Sequence, residues 1–134
     1  MEKLAKEANF EDLLQLLEDY NKQIPRKFLN QALHAAVKGC NTERIHNTLQ
    51  CIEYLVRHGA QIQSEAQQEG GKTALMLACW KGYIELVKDI LEKDEMLETR
   101  DKDGRTALFH AIYQKEQNRD VVKELIFRKA EVNI

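Results

Sequence analysis

The sequence predicts an all-α chain, a solenoid of stacked helix-turn-helix units with beta-turn loops between them. Three observations predict this. One pattern is written twice: Gly71-Lys72-Thr73-Ala74-Leu75-Met76-Leu77-Ala78 recurs as Gly104-Arg105-Thr106-Ala107-Leu108-Phe109-His110-Ala111. Thr73 and Thr106 stand 33 residues apart, and a fixed period of that length marks stacked supersecondary units. Each copy is then followed by a second apolar run, Leu86, Val87, Ile90, Leu91 in one and Val121, Val122, Leu125, Ile126 in the other. Spacings of one, three and four put such residues on one helical stripe. Finally, one Pro and six Gly in 134 residues suit helices throughout.

The pattern has physical reasons. Glycine permits the positive φ that the turn before a helix needs. A threonine hydroxyl can cap free N–H groups of the first helical turn. Leu and Ala are set to face a neighbouring unit, and the small Ala lets two helices approach.

These residues resemble the ankyrin repeat family, whose hallmark is Gly-x-Thr-Pro-Leu-His-x-Ala at a period near 33. Both copies match at Gly, Thr, Leu and Ala. Both depart at two positions: Ala74 and Ala107 replace the Pro, and Met76 and Phe109 replace the His. Alanine is a strong helix former, so the loss of Pro is tolerable.

Taken in order, residues 1–24 read as a degenerate first repeat. Leu4, Ala5 and Ala8 fit one short helix, and Phe10, Leu13, Leu16 and Leu17 the inner stripe of a second. Glu2, Lys3, Lys6, Glu7, Glu11 and Asp12 supply the polar outer face that a terminal repeat needs. The second repeat, 25–63, starts with Pro25 at a first helical position. Phe28, Leu29, Ala32, Leu33 and Ala36 follow at helical spacing. Here the family's His is present, as His34, and the resemblance implies that it bonds backbone. Residues 51–62 follow the family's second helix and its Gly-Ala turn. About seven extra residues within 40–50 read as a longer second helix, about 42–58, with Asn41 or Thr42 as its cap. The third repeat, 70–100, is closest to the pattern, with Trp80, Lys81 and Gly82 turning between its helices. The fourth, 103–134, ends in Ala130-Glu131-Val132-Asn133-Ile134, where the resemblance implies that another unit would begin. Its stacking positions carry no polar substitution. We therefore expect one ankyrin repeat domain over 1–134, a segment of a longer protein, with self-association through the uncapped C-terminal repeat.

Composition bounds the function. The formal charge is −2 and 43% of residues are apolar. Near-neutrality argues against nucleic acid, where a basic stripe is expected. No run of 18 apolar residues exists, which argues against membrane insertion. No apolar signal region opens the chain, and three cysteines, an odd number, fit a reducing compartment. A cytoplasmic or nuclear location is expected.

Candidate chemistry is thin. His34, Cys40, His46, Cys51, His58, Cys79 and His110 contain no Cys-x-x-Cys and no His-x-x-x-His, so no metal site is expected. Cys51 and Cys79 fall on packed apolar positions. Cys79 and His110 are one repeat apart, but no third orienting group is evident. Ser64 is the only serine and has no elbow motif around it. Neither an enzyme activity nor a cofactor is expected.

The resemblance implies where a partner would bind. In the family, variable residues beside the turn Gly and at the end of the first helix line a concave face. The matching positions here are Lys72, Trp80, Lys81, Lys102, Asp103, Arg105, Tyr113 and Gln114, with Lys38 one repeat earlier. Trp80 and Tyr113 occupy one slot in consecutive repeats, and exposed aromatics flanked by cations are what binding hot spots look like. The expected function is protein–protein recognition through a concave groove and loop tips, the partner being acidic or phosphorylated. Two alternatives stand beside it. One is recognition of a small anionic or nucleotide-like ligand; the other is a regulatory segment bound to its own neighbouring domain.

Overall fold

The computed structural model describes residues 2–7, 9–20, 24–66, 69–93, 97–113 and 118–132, with the backbone alone for residues 4, 6, 10 and 130–132. Eight helices form among them: α1 (Glu2–Lys6), α2 (Phe10–Asp19), α3 (Arg26–Lys38), α4 (Ile45–Arg57), α5 (Ala74–Lys81), α6 (Ile84–Lys93), α7 (Ala107–Tyr113) and α8 (Arg119–Val132). The described residues contain no strand, only an isolated antiparallel bridge between Ala66 and Lys72. The all-α class expected from the period is what forms. The helices gather into two compact units, Met1–Ser64 and Glu65–Ile134.

In the first unit α1 lies on α3 and α2 on α4. Leu13 and Leu17 are buried as their spacing predicted, and Ala5 with them. Glu2, Lys3, Glu7, Glu11 and Asp12 are exposed, as a terminal polar face requires. Ala8 lies outside the described residues. His34 Nε2–H donates to the Ser64 carbonyl at 2.9 Å, the backbone bond the resemblance implied. Three details differ from expectation. Pro25 is the residue before the helix, with φ −57° and ψ 144°, because the extended ψ places it outside the first turn. The helix expected over 42–58 is Ile45–Arg57. Asn41 Oδ1 accepts from Arg44 N at 2.9 Å, so the side chain closes a turn of its own and delays the helix. Phe28 is not interior but 49% exposed. The buried stripe of α3 runs through Leu29, Leu33 and Ala36, and Phe28 sits at its edge.

In the second unit α5 packs on α7 and α6 on α8. Thr73 caps α5, its hydroxyl accepting from Met76 N at 3.3 Å. Thr106 repeats this for α7, accepting from Phe109 N at 3.4 Å. Trp80 and Lys81 are the last turn of α5 rather than a turn between helices, and Gly82 alone ends it, at φ +80°. A Cβ there would collide with Asn118 Oδ1. The whole α6 stripe, Leu86, Val87, Ile90 and Leu91, is buried. The fourth repeat is only half covered. Val121 and Leu125 are buried, but Leu108 and Val122 are half-buried and Ile126 is exposed.

Candidate functional site

Two turns carry the charged residues of the site. Gly71 N donates to Ala66 O at 3.0 Å and closes the first; Asp101 N donates to Arg105 O at 2.9 Å and closes the second. Lys102 N donates to Gly70 O at 2.9 Å and ties one turn to the other. Gly71 and Gly104 both have φ +77°, the conformation for which glycine is suited. Gly71 is also a close approach, since a Cβ there would stand 3.0 Å from Lys102 Cγ.

The second turn is held from inside. Asp101 Oδ1 accepts from Asp103 N and Arg105 N, both at 2.9 Å. Its Oδ2 accepts from His110 Nε2–H at 2.8 Å, and both side chains are buried. Burial pushes the Asp101 carboxyl up, but the Arg105 amide, the His110 ring and the Asp103 amide together outweigh it. The net effect holds the carboxyl below the ordinary carboxylate range. The loop bearing Lys102, Asp103 and Arg105 is thereby fixed to α7.

Beside this loop lies an aromatic strip. Trp80 on α5 and Tyr113 on α7 stack with centroids 5.8 Å apart and planes at 19°. Tyr113 stacks in turn on Phe109, one helical turn back, at 6.0 Å and 22°. The Arg105 guanidinium lies over the Phe109 ring, 4.9 Å from its centroid, within cation–π range. Trp80 is 42%, Phe109 41% and Tyr113 63% exposed. Three large rings half in water are an uncommon expense of apolar area on a helical surface.

The expected site residues therefore divide. Trp80, Tyr113 and Arg105 come together through Phe109. Lys72 and Lys102 sit on the two tied turns; Lys72 Nζ donates to Glu69 O at 3.2 Å and Lys102 is exposed. Asp103 is exposed at the tip of the second turn. Lys81 is half-buried in the last turn of α5. Lys38 is exposed near the end of α3, in the first unit. Gln114 lies outside the described residues.

Sequence reasoning missed Phe109, met only as a departure from the family's His, although its spacing of four from Tyr113 puts both on one helical face. It also missed the Asp101–His110 pair, whose nine-residue separation crosses the turn. The orienting group that was not evident for His110 is thus Asp101. That does not activate Cys79. Burial pushes its thiol up to about 12, so it is held protonated, and thiolate is the reactive form. Burial likewise raises Cys51 to about 11. Asn118, buried, donates to Cys79 O at 3.0 Å and to Ala111 O at 3.1 Å, bonding the ends of α5 and α7. Among the described residues no three His, Cys, Asp or Glu side chains converge, and no helix is long and apolar enough to cross a membrane.

The first unit has a separate apolar groove of about 590 Å3, lined by Leu16, Tyr20, Ile24, Pro25 and Phe28 with Glu2 and Lys3 at its edge. It accounts for the exposure of Phe28.

Paired helices, threonine caps, matched positive-φ glycines and a period of 33 can be compared with known proteins. A family model described as ankyrin repeats (3 copies) matches residues 3–101 and 46–134. The poly [ADP-ribose] polymerase tankyrase of Caenorhabditis elegans is 35% identical over 79 residues, 58% of this chain. The match covers 3% of that protein's length, too little for its name to assign chemistry here. Ankyrin repeats are non-catalytic modules that generally mediate protein–protein interaction. With the family model spanning most of its length, the chain belongs to the ankyrin repeat family.

Proposed function

We propose that the chain recognises another protein through the strip Trp80–Tyr113–Phe109 and the cations beside it. The observation that carries this is the stack itself: three half-exposed rings that touch, capped by Arg105. Stacking fixes the rings before a partner arrives, so less side-chain entropy is lost on binding. Trp and Tyr are enriched in binding hot spots for their large contact area. Lys72, Lys102 and Arg105, with Asp103 the one acid among the proposed contact residues, favour a partner with acidic or phosphorylated groups around an apolar anchor. Lys81 adds a cation to the same unit, Lys38 is a separate candidate contact in the first unit, and a cytoplasmic or nuclear setting suits three buried thiols that form no disulfide.

A nucleotide-like ligand fits less well. Tyr113 already stacks on two neighbouring rings, and Phe109 is shared between Tyr113 and Arg105.

The test is affinity. A partner recovered with the wild-type chain should lose at least tenfold in affinity to Tyr113→Ala, and its association should slow with added salt. An unchanged Kd with Tyr113→Ala would remove the strip from the binding surface.

A further inference from the structure

Every residue of α5 from Ala74 to Cys79 is buried, and Trp80 after them is 42% exposed. It stays open although α7 already packs on α5 and α8 on α6. An indole left in water at the end of an otherwise buried helix forgoes apolar contact that folding could have used. From Trp80 a row of side chains leads to a cation. Trp80 to Tyr113 is 5.8 Å, Tyr113 to Phe109 6.0 Å, and Phe109 to the Arg105 guanidinium 4.9 Å.

The turn at the cationic end is sorted by charge. Residues 101–105 read Asp-Lys-Asp-Gly-Arg, a formally neutral run. The Asp101 carboxylate, however, is turned inward. Its side chain is buried, bonded by His110 Nε2–H and by the amides of Asp103 and Arg105. Lys102 and Arg105 are exposed, with Asp103 the exposed acid between them. Among the described residues neither cation is in an ion pair. His110 thus withdraws a carboxylate that would oppose an anionic ligand, and the turn presents two cations against one acid.

We propose that the strip binds a short linear segment of a partner protein, with an aromatic or aliphatic anchor on Trp80 and an Asp or Glu on Arg105 and Lys102. This rests on the strip being the recognition surface. Each of the three steps from Trp80 to Arg105 is shorter than the roughly 6.6 Å between alternate side chains of an extended chain. The anchor and the acid therefore stand at most about six residues apart. A carboxylate suits Arg105, because a guanidinium lying over a ring keeps its N–H edge for a bidentate bond. The anchor supplies contact area, and the charge at one end fixes the direction in which the segment lies.

The test pans random linear peptides displayed on phage against the full chain. Enriched peptides should share an apolar anchor with an Asp or Glu within about six residues of it. By fluorescence anisotropy, a synthetic copy should lose at least tenfold in affinity to Trp80→Ala and to Arg105→Glu. Replacing its acid by Lys should restore binding to Arg105→Glu. Lys88→Glu, the same charge change at an exposed site on α6, should leave its affinity unchanged. Circular dichroism checks that each variant folds, and Lys102→Glu serves if Arg105→Glu does not. No enrichment, enrichment without an acid, or a peptide indifferent to Trp80→Ala or to the charge reversal would overturn the proposal. So would an equal loss with Lys88→Glu, which would mean attraction to overall charge. If the peptides fail while Tyr113→Ala still weakens a recovered partner, the strip recognises a folded surface and the linear ligand alone is refuted. If that partner binds Tyr113→Ala unchanged, the reading of the strip falls and this inference with it.

Discussion

Trp80 and Tyr113, 33 residues apart, meet face to face at 5.8 Å. The period that brings them together is set by glycine turns and threonine caps, not by the rings. Substituting either ring should therefore leave the repeat standing while changing its surface.

The Asp101–His110 pair makes a stability prediction with a definite sign. The Asp101 carboxyl is held below its ordinary value in the folded chain, so folding favours the ionised form. That contribution is present above the unfolded pKa of about 4 and is lost as pH falls through the lower folded value. Asp101→Asn should lower stability at pH 7 by about 1.5–3 kcal/mol, the range for bonds to a charged group. Urea melts at pH 7 and pH 3 should show the gap to wild type shrinking at the acid end. An equal gap at both would mean that the charge is irrelevant.

Leu75 and Leu108 occupy the same position in the pattern, yet Leu75 is 2% exposed and Leu108 half-buried. Leu75→Ala should cost about 2–5 kcal/mol. Leu108→Ala should cost less, roughly 1–2 kcal/mol, since less area returns to water. Equal urea midpoints for the two variants would contradict the asymmetry of the fourth repeat.

Thr48 on α4 is fully buried and its hydroxyl has no hydrogen-bond partner among the described residues. Thr48→Val replaces that hydroxyl with a methyl of similar size. We expect stability to rise by about 1 kcal/mol, the cost of an unpaired buried hydroxyl. A drop in the thermal midpoint would indicate a bonded hydroxyl.

Cys40, Cys51 and Cys79 are all buried and form no disulfide. Thiol titration should find three groups after denaturation and slow labelling before it. Cys79, raised to about 12, should be the slowest. Fast native labelling of all three would contradict the packing of α3, α4 and α5.

Much of this was legible in the sequence because it is local or periodic. Gly71 and Gly104, Thr73 and Thr106, and the α6 stripe each repeat a rule that needs only a few neighbouring residues. The Trp80–Tyr113 slot followed from the period alone. What was not legible depends on contacts across turns. Asp101 and His110 pair because the turn folds back, and no spacing rule announces that. Phe109 was seen as a missing histidine, when its ring had joined the strip. Ile126 reads as core by its helical phase, and only the packing of the neighbouring helices decides that Leu91 is covered and Ile126 is not.

The central claim is that the aromatic strip binds and the leucine core folds. Trp80→Ala and Leu75→Ala, measured side by side, separate these roles. For Trp80→Ala we expect a stability loss of about 1 kcal/mol, the worth of one aromatic pair beyond its area. Its affinity for a verified partner should fall by roughly 2 kcal/mol or more. Leu75→Ala should show the larger stability loss of the two. If Trp80→Ala binds that partner with wild-type affinity, or loses as much stability as Leu75→Ala, the strip is part of the core and not the recognition surface.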